Sequence, residues 1–243
     1  MPPREGFLYL LRCTDPPEPR RARMRTIVID RWREAWQQSA FKLQLPLTTG
    51  MLVVVLSAFA QFLVLVEGRE GVRMNDPILQ IIEPRDFTWV TFGMIYLSVM
   101  VAVVVLAQYP WRLLVAMQAY IVMVVLRAGM MYVTPLSPSE DLIVLRDPFV
   151  QLAGDGTAPT KDLFFSGHIS TLFLLSLVIQ HPLMKKAFLL CTVVVAIFVV
   201  WQHVHYVVDV AVAPFVAYGC YRLVETMHER SRREEQRKSL SVG

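Results

Sequence analysis

Cysteine is scarce in this chain: Cys13, Cys191 and Cys220 are the three in 243 residues, an odd and scattered set with two members inside apolar runs. That usage gives neither a disulfide framework nor a CxxC metal site. Charge is scarce too, at 18% of residues against 55% hydrophobic ones, which excludes an ordinary soluble domain. Ser166 lacks the flanking Gly-x-Ser-x-Gly of a nucleophile elbow, so it is not read as a serine nucleophile. The acids Asp147, Asp155 and Asp162 are spaced too irregularly for a metal cluster, and no metal or other cofactor is expected. No nucleic-acid partner is expected either. The first apolar run begins near residue 47 behind an arginine-rich stretch, so no signal peptide is expected.

What the chain does have is apolar length. A mean hydropathy of +0.45 over 243 residues leaves room for about six spans of roughly 20 residues each. The runs are Leu47 to Val66, Phe87 to Ala107, Trp111 to Val133, Gly167 to Ile179, Ala187 to Trp201 and Val204 to Val224. The second opens on Phe87 and Trp89, aromatic residues suited to a membrane interface. A polar loop rich in Pro, Gly and Asp, from about 135 to 165, separates the third and fourth. The last three runs are joined by very short turns and must be neighbouring antiparallel helices. The expected architecture is all-α: a six-helix membrane bundle over residues 47–225, preceded by a basic segment 1–46 and followed by a charged tail 226–243. Within the basic segment, residues 26–41 carry Ile27, Trp32, Trp36 and Phe41 among Arg31, Arg33 and Lys42. They read as a helix lying on the inner membrane surface or as an amphipathic helix packed on the turns.

Basic residues orient the bundle. Residues 1–46 hold nine of the 24 Lys and Arg, and the tail from Arg222 holds six more. With six alternating spans, Arg112 and the Lys185-Lys186 pair fall on that same side. The positive-inside rule then puts both termini in the cytoplasm, leaving Arg69, Arg73, Arg85, Arg146 and Lys161 outside. His181 and His228 fall on the cytoplasmic side as solvated residues.

Two segments carry chemistry. His205 and Asp209 stand at i and i+4, so on a helix they share a face, and the carboxylate can bond one imidazole nitrogen and leave the other as a nucleophile toward phosphorus. Ser166-Gly167-His168 marks the point where a polar loop becomes an apolar helix, and free N–H groups at such a start bind phosphate; Ser166 itself suits a hydrogen bond to phosphate. Taken alone, either histidine is most often an interfacial cap. Both, however, fall at the outer end of the expected bundle, where a reaction would act on outer-leaflet headgroups or on soluble phosphates. His203 reads as a rim or substrate contact. Arg127 stands within the third run, where it costs at least about 2.5 kcal/mol unless it snorkels or finds a partner. It reads as a guanidinium clamp on phosphate or as a structural pair with Asp209 or another buried acid.

These residues resemble the SGH and HxxxD motifs of the type 2 phosphatidic acid phosphatase superfamily, and within it the sphingomyelin synthase branch. The Asp-x3-Ser-Gly-His of that branch is matched by Asp162 to His168, its His-Tyr-x2-Asp-Val by His205 to Val210, and its Arg-x3-Met-Tyr-Val-Thr-x-Leu by Arg127 to Leu136. The resemblance adds Asp162 and Tyr206, with Ser166, Gly167 and Arg127, to the phosphate and substrate contacts around a catalytic His168, His205 and Asp209. Phosphatases of the superfamily usually carry an arginine six residues before the last motif's histidine, where this chain has Val199. The synthase pattern is itself altered at Thr160-Lys161, Ile169, Val207 and Pro214. Lys161, close to the expected phosphate, would favour an anionic headgroup over choline.

The implied activity is transfer of a phosphorylated headgroup from a phospholipid donor to ceramide or another lipid alcohol, through a phosphohistidine on His205 with His168 as acid and then base. Hydrolysis by a lipid phosphatase or phospholipase C-type enzyme is the alternative, sharing the first half-reaction. A non-catalytic lipid-binding or scrambling protein that keeps the fold is the third reading.

Overall fold

The computed structural model describes residues 20–145 and 159–241. Cys13, Arg146, Asp147 and Asp155 lie outside the described residues, as do residues 1–19 of the basic segment. The helices in chain order are α1 (Arg20–Gln37), α2 (Ser39–Glu67), α3 (Thr88–Leu106), α4 (Pro110–Val133), α5 (Gly167–Val178), α6 (Pro182–Trp201) and α7 (Val207–Ser241). A two-residue parallel ladder, β1 (Val72–Arg73) with β2 (Leu136–Ser137), joins the α2–α3 loop to the segment after α4.

Five helices, α2, α3, α4, α6 and α7, are long and apolar enough to cross a membrane. The expected fourth span is shorter than that. As α5 it has 12 residues, about 18 Å at a helical rise of 1.5 Å, against a hydrocarbon core of about 30 Å. It is nevertheless the centre of the bundle, packed on α3, α4, α6 and α7. Ile169, Leu172, Leu174 and Val178 are buried around it, as befits a helix apolar on every side. Its Ser170 and Ser176 hydroxyls donate back to Gly167 O and Phe173 O, so no polar atom of theirs is spent on the core.

The outer faces are as apolar as the core. Val53, Val54, Val103, Val193 and Phe215 are all at least half exposed, a belt no water-soluble monomer presents. The chain is therefore an all-helical polytopic membrane protein in its described residues, apart from the short ladder.

Several boundaries differ from those expected. α2 begins at Ser39 and α6 at Pro182, each extended by polar residues beyond the apolar run. α7 starts at Val207, not Val204, and continues to Ser241. α1 docks on α2 and α4: Trp32 Nε1 donates to Ala107 O at 2.7 Å, the Arg31 guanidinium lies 4.4 Å from the Tyr109 ring, and Phe41 meets the rings of Trp32, Trp36 and Trp111. These contacts pack the helix on the α3–α4 turn and leave Ile27 and Trp36 exposed. His228 is half-buried, 2.6 Å from Gln118 Oε1 and edge-on to Trp111, and is not the solvated residue expected; His181 is exposed.

Gln202, which carries no obvious sequence signal, ties three loops together at the α6–α7 turn. Its side chain is fully buried, donates to Thr88 Oγ1 at 2.7 Å and Ile143 O at 3.3 Å, and accepts from Phe87 N–H at 3.3 Å. Asp86 beside it is held below the usual carboxylate range by hydrogen bonds from the Thr88 hydroxyl and N–H. Gln202→Leu would orphan Phe87 N–H and Ile143 O. Each buried orphan costs about 1–3 kcal/mol, so denaturant unfolding in detergent should show a loss of at least about 2 kcal/mol.

Candidate active site

The segment entering α5 is strained into place. Phe164 and Phe165 have φ of 77° and 118°, conformations that cost roughly 1–3 kcal/mol per side-chain-bearing residue. Phe165 is buried in the main core, and Leu163 in a smaller cluster with Tyr206, so apolar burial holds the turn. Its result is that Ser166 caps α5 in an extended conformation and its N–H donates to the Asp209 carbonyl at 3.2 Å. That bond joins the two motif segments directly. The Ser166 hydroxyl is buried without a hydrogen-bond partner, and the N–H groups of Gly167, His168 and Ile169 occupy a first turn that has no helical acceptors for them.

Arg127, near the C-terminal end of α4, reaches this helix start. Its Nη2 donates to Asp162 Oδ1 at 2.7 Å, and a Cβ placed on Gly167 would lie 1.6 Å from its Nη1. The guanidinium therefore rests on the bare α-carbon of Gly167, which is the physical reason for glycine there. Phe59 of α2 places its ring 5.6 Å from Cζ. The ion-pair partner is Asp162, not Asp209, and Nε remains buried with no hydrogen-bond partner. Ser166 Oγ and Arg127 Nε are thus two buried polar atoms with no hydrogen-bond partner among the described residues.

His205 is not on a helix, contrary to expectation: it lies in the turn before α7, with its N–H donating to Val199 O at 3.3 Å. The turn still brings its Nδ1 to 3.4 Å from Asp209 Oδ2. This is contact distance for an ion pair, although the alignment of a hydrogen bond is not reached and Nδ1 has no bonded partner. Asp209, third residue of α7, also accepts the Tyr206 N–H at 3.3 Å through the same oxygen, the reach-back of a capping box. A second carboxylate, Asp76 from the α2–α3 loop, accepts the Val207 N–H at 2.8 Å. No local signal marks Asp76, because it lies far upstream of the helix it caps.

The His168 and His205 rings face each other with centroids 6.1 Å apart and planes at 65°. Phe92 of α3 meets His168 edge-on. Both histidines and Asp162 line a cavity of about 130 Å³ whose other walls include Leu63, Phe92, Leu142 and Val144. The cavity thus combines ionisable and apolar walls.

Other expected contacts have different partners. Tyr206 does not line this cavity: its hydroxyl donates to Ser137 O at 2.8 Å and accepts from Met74 N–H at 3.3 Å, binding the loops on either side of the β1–β2 ladder. Burial pushes its phenol above the usual range, so it remains a donor. His203, with φ of 58° and Nε2 at 3.0 Å from Ile82 O, is buried against the α2–α3 loop and not at a rim. The Lys161 ammonium is engaged by the carbonyls of Glu67 and Arg69, and Lys161 is not among the residues lining the cavity.

No curated protein and no solved structure matches the chain. Residues 161–227 match the family model described as PAP2 superfamily C-terminal, a stretch that holds both motif segments and the whole of the α6–α7 turn. The match supports the type 2 phosphatidic acid phosphatase superfamily, and with it a phosphoryl-transfer or hydrolytic enzyme acting in a membrane.

Proposed function

We propose that this protein is a lipid headgroup phosphotransferase resembling sphingomyelin synthase, moving a phosphorylated headgroup from a glycerophospholipid to ceramide or another lipid alcohol. The observation that carries the reading is the opposed pair His168 and His205, 6.1 Å between ring centroids, beside a helix start bearing Arg127 and an unpartnered Ser166 hydroxyl. Asp209 stands 3.4 Å from Nδ1 of His205, placed to stabilise a proton there while the Nε2 lone pair attacks phosphorus. Attack forms the P–N bond, the P–O bond to diacylglycerol breaks, and His168 supplies the proton to the departing oxygen. Arg127, Ser166 and the α5 N–H groups offset the charge that builds on the phosphoryl oxygens. The acceptor hydroxyl then gives its proton to His168 and displaces His205 from phosphorus.

Water as acceptor would make the protein a hydrolase. Val199 favours transfer: it stands where phosphatases carry arginine and is fully buried in the core, with no space for a guanidinium. The reading also places the site on the exoplasmic face. Its support is the charge bias, with Lys185 and Lys186 exposed at the opposite end of the bundle and Arg69, Arg73 and Arg85 engaged at this one by Tyr132, Glu140 and Trp201.

The deciding experiment incubates the purified protein in vesicles with a panel of phospholipids, with and without ceramide, and identifies products by mass spectrometry. Diacylglycerol with a new phosphosphingolipid is expected; diacylglycerol with free phosphorylated headgroup would make it a phospholipase C-type hydrolase, and phosphate released from phosphatidic acid alone a phosphatase. His205→Ala and Asp209→Asn should each lower turnover by at least about 10²-fold. Gly167→Ala should do nearly as much by displacing Arg127, since an ångström of misplacement can cost about 10²-fold, with little change in melting temperature. In a background without native cysteines, Glu83→Cys should react with an impermeant thiol reagent from outside and Lys185→Cys from inside; the reverse pattern would sink the exoplasmic site.

A further inference from the structure

Glu67 is the last residue of α2, where an acidic side chain opposes the helix dipole. It is kept there by a set of donors from a segment 93 and more residues away. Its Oε2 accepts the N–H groups of Thr160 and Lys161 at 2.9 and 3.0 Å, and its Oε1 accepts the Thr160 hydroxyl at 2.5 Å. In return the Lys161 ammonium donates to Glu67 O and Arg69 O, a cation capping the carbonyl end of α2. α2 otherwise packs on α1 and α4, and its buried residues are Phe41, Thr48 and Val66. Glu67 is thus the point where this lipid-exposed helix grips the loop that leads into the site.

The stretch so gripped adjoins the site. Thr160 and Lys161 directly precede Asp162, whose carboxylate holds Arg127 at 2.7 Å, and Arg127 rests on Gly167 beside His168. Leu63, one turn before Glu67, lines the cavity together with Pro159, Thr160 and Asp162. We propose that Glu67 is a positioning residue that acts through Thr160, Lys161 and Asp162 to hold Arg127 at the start of α5. The proposal rests on the reading of Arg127 as the phosphate clamp. It adds a residue that lies outside both motif segments, on a helix that contributes no catalytic group.

Two readouts test it. Glu67→Ala should lower kcat by about tenfold, since small displacements at a reacting centre are costly, while Glu67→Gln, which keeps one acceptor oxygen, should recover part of the loss. In an Arg127→Ala background the same Glu67→Ala change should matter by less than about twofold, because a residue acting through another loses its effect when that other is gone. Additive losses would overturn the proposal. Independently of turnover, amide hydrogen exchange in detergent should quicken over residues 160–169 in Glu67→Ala and leave α6 unchanged; unchanged exchange over 160–169 would overturn it as well. A wild type inactive toward every donor would sink the proposed function, and the exchange comparison would still decide whether Glu67 holds this segment.

Discussion

A guanidinium carried on a membrane helix must be paired, and the pairing of Arg127 governs the geometry around it. Leaving it unpaired within the apolar layer is costly, so Asp162 is brought to 2.7 Å. That requirement fixes where the loop before α5 runs. The guanidinium plane then occupies the space of a side chain at Gly167, which restricts that position to glycine. The loop reaches the helix only through two phenylalanines with positive φ, and their burial in the core and against α7 offsets the strain.

The shortness of α5 follows from the same end of the bundle. A helix of 12 residues is too short to cross a hydrocarbon layer of about 30 Å by itself, and its first turn meets Arg127 of α4 and the start of α7. The loops around it are held by polar side chains: Gln202 at the α6–α7 turn, Tyr206 between the ladder strands, Asp76 on α7 and Glu67 on the 160–161 segment. In the proposed transfer, loops held in this way would limit the access of water, with which an attacking alcohol must compete.

Much of this was legible in the chain. The apolar runs gave the order of the helices because each is one continuous stretch bounded by polar residues or proline, although the fourth, as α5, is shorter than a span. His168, His205, Asp209, Ser166 and Gly167 could be singled out in the chain because their spacing sets them at helix starts, and the fold brings the two segments together. The pairing of Arg127 was open between Asp209 and another acid, since one-dimensional spacing does not say which carboxylate a long side chain will meet. The turn geometry of His205 was misread as helical: i and i+4 spacing is compatible with a helix, yet Asp209 reaches back to cap the helix at Tyr206 and leaves His205 outside it.

The sequence alone determined that the chain is an apolar helical bundle and singled out the residues proposed for phosphoryl transfer, because hydropathy and motif spacing are local properties. Tertiary structure decided the partners: Arg127 with Asp162, Lys161 with the end of α2, Tyr206 with Ser137, and Asp76 with the start of α7. Those contacts join residues dozens of positions apart. They form because buried donors and acceptors must be satisfied by whatever the packed helices bring within reach, and no local pattern in the chain encodes that choice.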